Sequence, residues 1–213
     1  GIILPDQFIP LAEQSGLITS LGEWVFQTGL KQAAQMQRHF GARFYTAFNL
    51  SMAQFVSCSH IGWLIDKLGS SNANITIELT ESLKFIDNAE YRSILDSIKK
   101  SGCKIALDDF GTGQSSLSYI KQVPVDIVKI DRSFVRDISI DHNDSELVLA
   151  IIQMAKAFNL TTIAEGVETY EQLDFLKAHG CQYAQGFLFG KALPFNEFLK
   201  FSESFGFQEM VFE

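Results

Sequence analysis

Six short, nearly continuous apolar runs recur along this chain, with stretches of helical periodicity between them. The runs are RFYTAFNL (43–50), ITIEL (75–79), CKIALDDF (103–110), VDIVKID (125–131), TTIAEGVE (161–168) and CQYAQGFLF (181–189). Apolar on both pleat faces, they suit strands covered on both sides, as in a parallel sheet. Helical stripes occupy 21–41, 53–69, 89–102, 144–159, 169–180 and 194–206. Gly41, Gly69, Gly102 and Gly180 stand at four of the stops, Asn159 at a fifth, and Pro194 suits a first turn. Six β-α units in register predict an α/β fold with a parallel sheet, either a (β/α)8 barrel or an open doubly wound sheet.

Two features favour a TIM-like barrel. No G-x-G-x-x-G loop follows any strand. Nearly every strand also ends in a chemically capable group: Asn49, Glu78, Asp108 with Asp109, Lys129 with Asp131, Glu165 with Glu168, and Gln185. In a barrel those ends converge on one mouth, where the active site sits. Each residue has an ordinary alternative: a cap for Asn49, loop acids for Asp108, Asp109, Glu165 and Glu168, a buried ion pair for Lys129, a satisfied core amide for Gln185. Glu78 is harder to explain that way, because a carboxylate inside an apolar strand needs a partner.

Bulk composition narrows the partners. The 213 residues contain 46% hydrophobic and 20% charged side chains, enough for a sizeable core. No linker or low-complexity segment interrupts them, so a single domain over 1–213 is expected. The net charge of −8 argues against a nucleic-acid polymer as partner. Cys58, Cys103 and Cys181 form no C-x-x-C pair and the four histidines show no ligand spacing, which favours reduced thiols over disulfides or zinc. No run approaches the roughly 18 apolar residues of a membrane span. A cytoplasmic location without membrane contact from this segment is expected.

Carboxylates with an asparagine oxygen are hard ligands, suited to Mg²⁺ or Mn²⁺. Two such ions, about 3.5–4 Å apart, clamp the attacking and leaving oxygens of an in-line displacement at phosphorus. The residues therefore point to metal-assisted phosphoester hydrolysis. A metal-dependent lyase or isomerase of the enolase type, with Lys129 as base, remains the rival on chemistry alone.

Seven ordered blocks carry a resemblance that bears on this choice. They are DQFIPLAEQSGLI (6–18), NLS (49–51), IELTES (77–82), DDFGTGQSSLSYI (108–120), VDIVKIDRSFV (125–135), IAEGVET (163–169) and QGFLFGKALP (185–194). The chain resembles EAL domains, bacterial cyclic-di-GMP phosphodiesterases. The resemblance implies a modified (β/α)8 barrel that uses two Mg²⁺ or Mn²⁺ ions to open cyclic-di-GMP into linear pGpG. It implies that Asn49, Glu78, Asp108 and Asp109 are metal ligands. Lys129 and Glu165 match the groups around the attacking water, with the choice of general base open. Asp131, Glu168 and Gln185 match further positions of the mouth. Glu81 matches the glutamate that anchors the loop after Asp109, a loop often tied to dimerisation, and Gln114 stands in that loop where tyrosine is common.

One departure matters. The Glu-Ala-Leu signature and the arginine that follows it in the family are absent, and GIILPDQF corresponds to a point just after them. The chain thus reads as an N-terminally truncated barrel lacking about two strands. A homodimer, domain-swapped or otherwise, is the expected compensation, with a sensor or diguanylate-cyclase-like domain expected upstream. The alternative function is a catalytically inactive cyclic-di-GMP receptor or regulatory protein-interaction domain.

Overall fold

A computed structural model describes residues 3–41, 44–80, 89–112, 120 and 123–204. The order of elements is α1 (Pro5–Ser15), α2 (Ile18–Phe40), β1 (Tyr45–Asn49), α3 (Met52–Phe55), α4 (Cys58–Gly69), β2 (Asn74–Thr80), α5 (Ala89–Lys100), β3 (Lys104–Phe110), β4 (Ile127–Ile130), α6 (Arg132–Arg136), α7 (His142–Ala157), β5 (Thr161–Ala164), α8 (Tyr170–Ala178), β6 (Tyr183–Ala184) and α9 (Phe195–Ser204). The strands hydrogen-bond in the order β1-β2-β3-β4-β5-β6. A doubly wound sheet needs a reversal of strand order, and none occurs among the described strands. The sequential order is that of a barrel wall, as the strand-end groups suggested. No described helix is long and apolar enough to cross a membrane.

All six expected strands form, and all but β2 are shorter than their apolar runs. β4 stops at Ile130, because Asp131 turns away to cap α6 by accepting from the Ser133 N–H at 2.9 Å. β5 stops at Ala164, ahead of Gly166 at φ +68°. β6 keeps only two residues before Gly186, whose place no side chain can take: a Cβ there would lie 2.1 Å from the Val167 carbonyl oxygen.

The helices differ more from expectation. α1 has no counterpart in the periodic reading, because Pro5 and Pro10 look like breakers. Pro5 sits at the helix start, where its missing N–H costs nothing, while Pro10 is carried inside the helix. The stretch 53–69 forms two helices rather than one. Ser51 and Gln54 close a capping box on α3, and Ser57 then interrupts with extended backbone before α4. α7 begins two residues before its expected start, with Asp141 accepting from the Asn143 N–H at 2.7 Å. α9 begins at Phe195, so Pro194 precedes the helix instead of opening it.

The chain divides into two compact units, 1–79 with 83–105, and 80–82 with 106–213. In the first unit, α2 lies close against β1. Phe26 and Phe48 stack with centroids 4.8 Å apart, and Gly29 leaves the room, since a Cβ there would fall 2.3 Å from the Phe48 ring. Phe55, Leu64, Leu68, Ile75 and Ile77 complete that core. In the second unit, α7 packs on β4 and β5 through Val148, Ile151, Ile152 and Ala155 against Val128, Ile130 and Ala164. Each fully buried Val, Leu, Ile or Phe side chain among these contributes about 1.5–3 kcal/mol.

Candidate active site

The second unit places four strand ends at one level. Lys129 pairs in register with Ile163, and Ala164 with Ala184. Beyond the strands the ladder continues, with Glu165 N–H donating to Ile130 C=O and Gln185 N–H to Ala164 C=O. The C-terminal ends of β3, β4, β5 and β6 therefore present Asp108 and Asp109, Lys129, Glu165 and Gln185 side by side.

Two adjacent residues of a regular strand point to opposite faces. β3 escapes that rule through a bulge. Leu107 pairs with Val128 and Phe110 with Ile130, so Asp108 and Asp109 together oppose the single residue Lys129. Asp109 adopts φ +54°, a left-handed conformation uncommon outside glycine, and Thr112 fixes it by donating its N–H and hydroxyl to the Asp109 carbonyl at 3.3 and 2.9 Å. The bulge and the left-handed residue turn both carboxylates to one side. Oxygens of Asp108, Asp109 and Glu165 then lie within 4.8 Å of one another, the one such group of three or more metal-ligand side chains among the described residues.

Lys129 sits among these acids, 2% exposed, with Nζ 2.8 Å from Asp108 Oδ1 and 2.7 Å from Glu165 Oε1. Gln185 Nε2 also donates to Glu165 Oε1, at 2.5 Å. Charges placed this close interact strongly, and their partial burial weakens screening. Burial, then the neighbouring carboxylates of Asp108 and Asp131, hold the Asp109 carboxyl above its ordinary value, while Lys129 pulls the other way. For Asp131, burial also pushes upward. Hydrogen bonds from the Ser133 hydroxyl and N–H, from Asp109 and from the Arg132 N–H outweigh it, and Asp131 falls below its ordinary value.

Three hard oxygen donors with one lysine, and Asp131 behind them, leave an excess of negative charge. The donor set fits a divalent cation with oxygen preference and has no sulfur or imidazole ligand for a softer one. Asp108 Oδ1 is buried, and its contact with Lys129 is an ion pair without hydrogen-bond alignment.

In the first unit, Asn49 and Glu78 are directly paired across β1 and β2, and Leu50 N–H donates to Glu78 C=O. Glu78 is 7% exposed and Asn49 lies at the surface. Glu168 does not belong to the carboxylate triad of the second unit. It is exposed, and its backbone N–H donates to Gln172 Oε1 at 2.7 Å. Glu81 and Gln114 lie outside the described residues.

Two residues of the surroundings had not been singled out in the sequence. Ser133 holds Asp131 through both its N–H and its hydroxyl. Gln172 accepts from Glu168 and Thr169 N–H and donates to Arg136 C=O at 3.0 Å, joining the segment after Glu165 to the end of α6. A signal for Gln172 was available, since Thr169-x-x-Gln172 is a capping-box pattern.

The model of the EAL domain matches residues 1–192. The chain belongs to the EAL domain family. Among curated EAL relatives, it is 38% identical over 206 residues to the bifunctional diguanylate cyclase/cyclic di-GMP phosphodiesterase MucR of Pseudomonas aeruginosa, covering 93% of this chain and 30% of MucR. The solved MucR phosphodiesterase, in complex with c-di-GMP, superposes with a TM-score of 0.86 at 37% identity, over 93% of this chain and 81% of that one. The Klebsiella pneumoniae BlrP1 manganese/cy-diGMP complex gives a TM-score of 0.67 at 30% identity, over 80% and 44%. Likeness to EAL structures at this level agrees with the barrel-type α/β fold expected from the sequence.

Proposed function

We propose that this chain is a phosphodiesterase domain that hydrolyses cyclic di-GMP to linear pGpG with divalent cations, Mg²⁺ or Mn²⁺. The observation that carries the reading is the triad of Asp108, Asp109 and Glu165 around Lys129, at strand C-terminal ends in a member of the EAL family. MucR and BlrP1, solved with cyclic di-GMP, support the substrate, and the manganese in BlrP1 supports the metal class.

When bound, the divalent cations supply neutralisation of the phosphodiester charge and polarisation of its P–O bonds. Asp108 and Asp109 would hold them here, and the family resemblance alone offers Asn49 and Glu78 as further oxygen ligands. Lys129 is already ion-paired with two carboxylates, so it brings positive charge to the scissile phosphate rather than a lone pair. Glu165 is then the group to take the proton of the attacking water. Its carboxylate is oriented from two directions, by Lys129 and by Gln185, as general-base catalysis demands. Asp131 keeps Asp109 in place, and Glu168 supports the site by family resemblance alone.

The test is incubation of the chain with cyclic di-GMP and Mn²⁺, resolving products by chromatography. A peak of pGpG that EDTA abolishes is expected. Tight binding of cyclic di-GMP without any pGpG would instead identify a receptor. No binding and no product would remove cyclic di-GMP from the account.

A further inference from the structure

The chain carries 25 acidic and 17 basic residues, yet one cavity of the first unit reverses that sign. It lies between α2 and the end of α4 and encloses about 670 Å³, within the range of roughly 300–1,000 Å³ typical of small-molecule sites. One wall is a single face of α2, with Gln27, Leu30, Lys31, Ala34, Gln37 and Arg38 at helical spacing. The other wall is Lys67, in the last turn of α4, and the polar turn of Ser70, Ser71 and Asn72 after it.

No carboxylate lines this cavity, and among the described residues Lys31, Arg38 and Lys67 form no ion pair. Compensation of helix C-terminal carbonyls accounts for a cation at the end of each helix, Arg38 on α2 and Lys67 on α4. It does not account for Lys31, two turns back from the end of α2. Three like charges facing one concavity repel each other, and an acidic chain had many carboxylates with which to answer them. The Ser71 hydroxyl accepts from Ala73 N–H at 3.2 Å, which leaves its own proton to donate. Leu30 and Ala34 supply an apolar patch beside the charges.

We propose that this cavity binds a small phosphate-bearing anion. Its phosphate is met by Arg38, Lys67 and Lys31, and its organic part rests on Leu30 and Ala34. A guanidinium matches phosphate oxygens two at a time, and a phosphomonoester carries roughly 1.5–2 negative charges near pH 7. A single carboxylate would leave most of the positive charge unanswered. The site is built entirely from first-unit residues, whereas the carboxylate triad belongs to the second, and its existence does not depend on the phosphodiesterase reading.

The experiment is calorimetric titration of the whole chain with adenosine 5′-monophosphate in EDTA, where the acidic triad has no cation through which to attract a phosphate. Saturable one-to-one binding is expected, weakened at least tenfold in Arg38→Gln and in Lys67→Gln and lost in the double variant. Arg38→Lys and Lys67→Arg keep it within a few-fold, and Lys177→Gln, on α8, leaves it unchanged. Adenosine, without the phosphate, shows no binding. These side chains are exposed, so the variants keep the thermal melt of the parent, which checks the fold independently. Absence of saturable binding, binding that survives the double substitution, or saturation by hexaglutamate but not by the nucleotide would each overturn the proposal.

Discussion

Lys129 and Glu165 meet at 2.7 Å, their register fixed by adjacent strands rather than by flexible loops. The lysine is 2% exposed, so its charge has little water to fall back on. Removing it leaves Asp108 and Glu165 facing each other without compensation. Lys129→Met is therefore expected to lower stability by about 3–5 kcal/mol, the cost of stripping one partner from a buried pair. Denaturant unfolding of the metal-free protein measures it. Mn²⁺ should recover more of the loss in the variant than it adds to the wild type, because a cation replaces the missing charge. A variant as stable as wild type in EDTA would show that the ion pairs contribute nothing net.

Asp109 bears its carboxylate on left-handed backbone. Asparagine tolerates that conformation and alanine does not, the steric cost being roughly 1–2 kcal/mol. Both substitutions remove the charge, so comparing them isolates the backbone. Asp109→Ala is expected to be about 1 kcal/mol less stable than Asp109→Asn in thermal unfolding with EDTA. Equal stabilities would mean that the bulge relaxes once the acid is gone.

The same residue predicts a pH dependence. Its folded value is raised above the ordinary 3.8, so the folded protein holds a proton there that the unfolded chain releases. Stability is then lost as pH rises from about 4 through the raised value. Asp131 is lowered, and its contribution is lost only as pH falls below the ordinary value, outside that window. Melting temperatures in EDTA from about pH 4 to about pH 7 should fall for wild type relative to Asp109→Asn. Parallel curves would contradict the shift.

Gln172 is 6% exposed and serves three backbone groups. Gln172→Glu keeps an acceptor for Glu168 and Thr169 but loses the donor to Arg136 C=O. Gln172→Ala loses all three and is expected to cost roughly 1–3 kcal/mol, with the glutamate variant in between. The order of the three denaturation midpoints decides it. An alanine variant as stable as wild type would remove Gln172 from the frame that positions Glu165.

Much of this architecture was legible as period. Five of the six strands fall inside the apolar runs and β2 overruns its own by one residue at each end, because a strand covered on both faces announces itself in composition. α1 was hidden by two prolines, and α6 by its shortness, five residues directly after an apolar run whose last residue is its cap. The register explains the site. Sequence could name Asp108, Lys129, Glu165 and Gln185 as strand-end groups, and neighbouring parallel strands bring those ends together. It could not show that Asp109 shares their side, because the bulge depends on how Leu107 and Phe110 pair with β4. Ser133 acts on the neighbouring Asp131 carboxylate and Gln172 reaches the Arg136 carbonyl 36 residues away, contacts that periodicity does not encode.

The most direct measurement is cyclic di-GMP hydrolysis in Mn²⁺ by wild type and Asp109→Asn in parallel, with the melting temperature of each. The account predicts pGpG from the wild type, a loss of at least a hundredfold in the variant, and a variant that melts no lower in EDTA. Wild-type turnover by a folded Asp109→Asn would contradict it.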